Sequence, residues 1–309
     1  MKYFLLSILL ALLCSCTQPV VQSELVNEVD SFLASYTETY LGLQAKSAEA
    51  DWSLNTKIVD GDSSNSKAYE EAEGKVAEFT GSVEVIEKAR RYLEGRAGLN
   101  DLQARQLKAI LYAAARNPQT KPGLVKARIK ADAAQTEALF GFDFKIDGKS
   151  VTTNEIDRIL EEEDDEQVRL AAWNSSKEVG KGLKKGLAGL VSLRNQTVQA
   201  LGYKDFFQYQ VSDYGMTVPE MMGQMRRFAR ELRPLYRELH TWARYRLAKK
   251  FGKDVPELLP AHWLPNRWGQ SWGSMVKVEG FDLDGTLSSF KPERLVRQAE
   301  DFYVSLGFE

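Results

Sequence analysis

Cysteine and histidine are scarce in this chain, with two of each in 309 residues. Both cysteines, Cys14 and Cys16, fall within the first sixteen positions, so no disulfide staples the body of the fold. Two histidines leave little for a histidine-rich metal site. Neither sign of charge dominates: 41 basic against 43 acidic side chains give a formal charge of −2. A nucleic-acid partner is therefore not expected, because such proteins carry a basic face or stripe. After residue 16 no apolar run approaches the ~20 residues that span a bilayer. What is present is a 43% hydrophobic content over a length that suits one large domain or two ordinary ones with a buried core.

The first residues form an address. Met1-Lys2 supplies one positive charge, Tyr3 to Leu13 is apolar apart from Ser7, and small residues follow. That order reads as a secretory signal over residues 1–15, too short to be a transmembrane anchor. Leu13-Cys14-Ser15-Cys16 resembles the bacterial lipobox, in which the last cysteine is lipidated after cleavage. Cys16 is then the first mature residue and the lipid attachment point, with residues 16–23 as lipidated terminus and short linker. Thr17 stands where an aspartate would signal inner-membrane retention, so the resemblance points to export and a lipid anchor on the outer membrane, facing the periplasm.

The mature chain has helical periodicity throughout, and an all-α fold is expected. The spacing of Leu25, Val29, Phe32, Leu33, Tyr36 and Tyr40 predicts a helix over 24–46. Helical sequence over 67–93 is interrupted by Gly74 and by Thr80-Gly81-Ser82, and helices over 100–116 and 121–140 follow. Residues 140–151 read as a loop or small hairpin around Asp147-Gly148. Thr152-Thr153-Asn154-Glu155 offers a capping box, and helices over 167–177 and 181–201 come next. Thr217-Val218-Pro219-Glu220 is a second capping box that opens a long helix to Lys250. Pro256, Pro260 and Pro265 impose an extended passage before a last helix from Pro292 to Leu306, striped by Leu295, Val296, Ala299, Phe302, Tyr303 and Leu306 and capped by Gly307.

Several segments together resemble the angiotensin-converting-enzyme family of zinc dipeptidyl carboxypeptidases. Ala50-Asp51-Trp52-Ser53-Leu54-Asn55-Thr56-Lys57-Ile58 is similar to that family's Ala-x-Trp-x-x-Asn-Thr-x-Ile. Leu193-Arg194-Asn195, Leu201-Gly202-Tyr203 and the aromatics from Tyr209 to Tyr214 resemble its middle helices. Pro234-Leu235-Tyr236 with Leu239-His240, Pro260-Ala261-His262 and Trp268-Gly269-Gln270-Ser271-Trp272 follow in the family's order and near its spacing. Phe302-Tyr303-Val304-Ser305-Leu306-Gly307 matches its Phe-Phe-x-Ser-Leu-Gly.

The resemblance implies one lobe of a two-lobed helical ellipsoid with a deep channel. Residues 24–309 would be the N-terminal part of the catalytic domain, truncated before the zinc motif. It implies a peptidyl-dipeptidase that removes dipeptides from peptides with a free C-terminus, using zinc held by a His-Glu-x-x-His helix and a later glutamate. This sequence contains no such motif, and His240 and His262 cannot replace a set of three ligands. No catalytic residue and no metal ligand is assigned, and the chain alone is expected to be inactive. Gln270 falls where the family places a glutamine that binds the peptide carboxylate. The family's chloride-binding arginine corresponds to Lys177 and its tyrosine only roughly to Tyr214. Lysine lacks the arginine fork, so chloride binding is not carried over. The rival function is a non-catalytic helical lipoprotein with a peptide-binding or scaffolding surface.

Phe281-Asp282-Leu283-Asp284-Gly285-Thr286 also matches a phosphatase signature. That chemistry belongs to a doubly wound sheet, which the surrounding sequence does not support, so an Asp/Gly turn between helices is expected.

Overall fold

The computed structural model describes residues 18–57, 62–276, 280 and 283–308. The signal sequence, Cys16, Ile58, Lys277 to Glu279, Phe281 and Asp282 lie outside the described residues.

The first helix, α1 (Gln18–Thr56), runs ten residues beyond the expected end. Nothing between Lys46 and Thr56 breaks a helix, and local side-chain bonds close its last turns. Asn55 Nδ2 donates to the Asp51 carbonyl at 2.8 Å, and Thr56 Oγ1 to the Trp52 carbonyl at 2.6 Å. Helix α2 (Ser64–Thr80) passes through Gly74 without a break. The expected interruption at Gly81-Ser82 is real, since Ser82 Oγ caps α3 (Val83–Glu94) by accepting from Val85 N at 3.2 Å. A Cβ on Gly81 would collide with the carbonyl of Asn117, so that close approach requires glycine.

Helices α4 (Asp101–Arg116) and α5 (Pro122–Phe140) follow, then an antiparallel hairpin of β1 (Phe144–Ile146) and β2 (Lys149–Val151), with Phe144 opposite Val151. Its turn is Asp147-Gly148, both at positive φ (50° and 78°), the geometry that matches strand twist. It is the only sheet among the described residues, so the doubly wound sheet of a phosphatase is not there. Both capping boxes form as expected, opening α6 (Thr153–Glu162) and α9 (Val218–Phe251).

Between them, α7 (Glu166–Gln199) is one 34-residue helix, not two. Interior glycines cost helix stability by about 1 kcal/mol each. Here packing against α5 outweighs that cost, and Gly186 is where the Gln135 side chain of α5 comes closest. Helix α8 (Phe206–Asp213) is short, and α10 (Leu283–Leu287) replaces the expected turn with a helical one. The last helix, α11 (Pro292–Ser305), ends in Gly307 at φ 90°.

The core forms in separate clusters. Val29 and Leu33 of α1 meet Val85, Ala89 and Tyr92 of α3 and Leu107 and Ile110 of α4. Phe144, Ile156, Leu160 and Ala172 join the hairpin, α6 and α7. The end of α9 packs Ala243, Leu247 and Ala248 against Trp263 and Met275. The earlier part of α9 has no such cover: Phe228, Leu232, Leu235, Tyr236 and Leu239 are exposed, as is the apolar stripe of α11. No described helix is long and apolar enough to cross a membrane.

Candidate functional site

The segment that carries Gln270 lacks regular helix apart from single turns at Ala261–Trp263 and Gly273–Met275. Gly252, left-handed at φ 62°, ends α9, and the prolines that follow keep the segment from resuming a helix, so its shape is set by what grips it. The main grip comes from α7. Arg169, 2% exposed, donates from Nε to the His262 carbonyl at 3.0 Å. Its two terminal nitrogens reach the carbonyls of Trp263 (3.0 Å), Leu264 (3.2 Å) and Glu163 (2.9 Å). Guanidinium donors in a fixed fork suit such a row of acceptors, and Phe251 lies under the same group at 5.5 Å.

Two turns further along α7, Lys177 Nζ donates to the Arg267 carbonyl at 2.7 Å. It lies between the rings of Trp173 (5.1 Å) and Trp268 (4.7 Å), so cation–π attraction adds to the hydrogen bond. Burial, then the Arg267 charge, holds its ammonium below the usual lysine pKa. Arg267 in turn makes a bidentate pair with Asp157 of α6 at 2.6 and 2.9 Å. On the α9 side, Glu166 accepts the Trp263 indole at 3.0 Å and pairs with Lys253 at 3.1 Å. These two contacts, the indole first, hold its carboxyl below the usual glutamate pKa.

On this frame, Asn266 Oδ1 accepts from Trp268 N at 2.9 Å, and Gly269 takes a left-handed φ of 66°. The Trp272 indole donates back to the Gly269 carbonyl at 2.9 Å. Gln270 follows, exposed, and its side-chain amide makes no hydrogen bond among the described residues.

The two histidines stand apart in role. His240 packs its ring beside Tyr236 (5.8 Å) and Trp272 (6.1 Å). His262 Nε2 lies 3.6 Å from Glu166 Oε1, beyond hydrogen-bond distance. Burial lowers its pKa against the opposing pull of Glu166. No group of three His, Cys, Asp or Glu side chains among the described residues is placed to hold a metal ion. Tyr214 closes α8 at 70% exposure and makes no hydrogen bond or cation–π contact with Lys177 among the described residues.

A model of the angiotensin-converting enzyme family matches residues 23–309. The chain belongs to that family. It is 32% identical to bovine angiotensin-converting enzyme over 149 residues, 44% of this chain and 11% of that protein. It is 29% identical to the mouse angiotensin-converting enzyme-like protein Ace3 over 167 residues, 50% of this chain and 22% of that one. The hamster (Mesocricetus auratus) enzyme is 30% identical over 151 residues. The aligned stretch thus spans roughly a tenth to a fifth of each curated relative's length. The all-α architecture agrees with membership of the angiotensin-converting enzyme family. That family depends on zinc, and among the described residues no three His, Cys, Asp or Glu side chains come together to fit the ion: His240 packs beside two aromatic rings, and His262 has Glu166 at 3.6 Å but no third ligand.

The α7 clamp is absent from the reading of the sequence. Arg169, Trp173 and Lys177 recur every four residues and so share one helix face, which was visible. The carbonyls they serve lie some 90 residues away, which was not.

Proposed function

We propose that residues 24–309 are the N-terminal part of a zinc peptidyl-dipeptidase, supplying one wall of a peptide channel and part of the grip on the substrate's C-terminal carboxylate. The observation that carries this reading is the free amide of Gln270 on a segment clamped by Arg169, Lys177 and Arg267. A side-chain amide N–H is a neutral donor that orients a carboxylate, and a preset backbone spares the cost of ordering it on binding. The uncovered apolar residues of α9 support the same reading, since a channel wall needs a facing lobe. Hydrolysis in this family requires a His-Glu-x-x-His zinc helix, a motif that the sequence does not contain. Chloride is given no place here, because Lys177, at the family's arginine position, lacks the planar fork.

The test has two arms. The purified mature chain should hold no stoichiometric zinc by elemental analysis and release no dipeptide from a blocked tripeptide. Joined to the zinc-bearing half of a family relative, it should give dipeptide release that a chelator abolishes. One tight zinc per chain with chelator-sensitive activity in the first arm would overturn the division of labour. A folded but inert joined protein would instead favour the non-catalytic helical lipoprotein.

We infer a lipid anchor from the Leu13 to Cys16 lipobox, with the protein exported to the outer membrane on its periplasmic side. Cys16→Ser should move the chain from the membrane fraction to the soluble periplasm. Retention in the membrane after a carbonate wash would place the anchor elsewhere.

A further inference from the structure

The near-neutral charge of the whole chain conceals a local excess. Helix α9 carries nine basic and three acidic side chains in a chain whose formal charge is −2. Arg226, Arg230, Arg233 and Arg237 recur at steps of four, three and four residues, which places them within an arc of about 60° on one helix face. The row runs for about 16 Å along the helix. All four are exposed, and none makes a hydrogen bond, ion pair or cation–π contact among the described residues. Arg227, on another face, shows the contrast: it pairs with Glu231 at 3.6 Å and lies over Phe228 at 5.3 Å. Glu231 and Glu238 share a side of α9 about 120° away from the row, so the helix offers these four arginines no counter-charge.

Like charges one helical turn apart repel, and all four fall within about two Debye lengths at physiological salt. An anionic partner relieves that repulsion. One phosphate or carboxylate cannot reach both ends of such a row, so the complementary partner is an extended array of anions. Between Arg226 and Arg237 no aromatic, Asn or Gln side chain lies on this face to stack on bases or read their edges, which disfavours nucleic acid. A row of cations on a convex helix surface suits a plane of charge. The exposed apolar residues Phe228, Leu232, Leu235 and Leu239 lie on the opposite side of α9, so a facing lobe that covers them leaves the arginines open.

We propose that the Arg226–Arg237 face of α9 docks on an anionic phospholipid surface and holds the exported protein against its leaflet. The lipid anchor read at Cys16, on which this inference rests, keeps such a surface within reach. Attraction to anionic lipid through several basic side chains is the second signal that steadies a lipidated protein on its membrane.

The mature chain carrying Cys16→Ser, which has no acyl chain, is sedimented with vesicles of phosphatidylcholine alone or with about 30% phosphatidylglycerol. Partition onto the anionic vesicles should exceed that onto the neutral ones by more than about tenfold at ~0.05 M salt and disappear at ~0.5 M, where charges are screened. Arg230→Ala and Arg237→Ala should each weaken it about fivefold. Changing all four arginines to glutamine should reduce it to the neutral-vesicle level, while Arg227→Gln, off the row, should change it less than about twofold. The substituted side chains are exposed, so an unchanged circular-dichroism melt is expected of each variant, and the single variants serve if the combined one does not fold. Equal partition onto both vesicles, an unchanged affinity after loss of the row, or an equal loss with Arg227→Gln would overturn the proposal. So would tighter binding to a DNA duplex than to the anionic vesicles. No readout involves Gln270, zinc or the acyl chain, so failure here leaves the proposed function and the lipobox standing, and their failure leaves this test readable.

Discussion

Replacing Arg169 with alanine should destabilise the chain by about 3–5 kcal/mol, the upper range for a single substitution. The guanidinium is almost fully buried and serves four backbone carbonyls, on Glu163, His262, Trp263 and Leu264. A hydrogen bond from a charged donor contributes about 1.5–3 kcal/mol, and a buried acceptor left unmet costs about 1–3 kcal/mol. Water entering the vacated space recovers part of this, which keeps the total well below the sum of four bonds. The melting temperature measured by circular dichroism should fall by about 5–15 °C. Arg169→Lys should recover less than half, since an ammonium has three donors and no planar fork. Limited proteolysis should cut the variant first between residues 253 and 272, before any helix. A melting shift below about 2 °C would mean that the clamp does not hold the segment.

The same clamp marks the boundary of what the sequence reveals. Features whose partners lie three or four residues apart were legible. Thr152 with Glu155 and Thr217 with Glu220 form their capping boxes, and Asp147-Gly148 makes the hairpin turn. Where a local preference competes with packing, local reasoning misplaced the element. The expected gap between helices over 167–177 and 181–201 is absent from α7, where long-range contact with α5 outweighs the cost of interior glycine. The end of α1 was set too early, since its apolar stripe fades at Tyr40 although nothing stops the helix before Thr56. The contacts that shape the Gln270 segment were beyond reach. Asp157 and Arg267 are 110 residues apart, and nothing in either neighbourhood names the other. Gln270 itself was found only through the resemblance to the angiotensin-converting enzyme family, because a lone exposed glutamine has no periodic or spacing signal.

Gln270→Ala, made in a complete enzyme joined from this chain and a zinc-bearing half of the family, should lower kcat/KM about ten- to hundredfold on free-acid peptides. The amide is presented by a backbone that Gly269, Asn266 and the Trp272 indole fix, so it needs no reordering to meet a ligand. A carboxylate entering a closed channel loses water, and each donor it meets then counts for more than it would in solvent. Removing one neutral-to-charged hydrogen bond costs ~1.5–3 kcal/mol, which corresponds to that range in kcat/KM. Peptides amidated at the C-terminus offer no carboxylate; they should be poor substrates of the parent and change much less on substitution. The side chain is exposed and makes no hydrogen bond of its own, so alanine should leave the melting temperature within about 2 °C of the parent. That separates this variant from Arg169→Ala, where the segment itself is released. An equal loss of rate on acid and amide substrates, or a large drop in melting temperature, would assign Gln270 to the fold and remove it from the carboxylate grip.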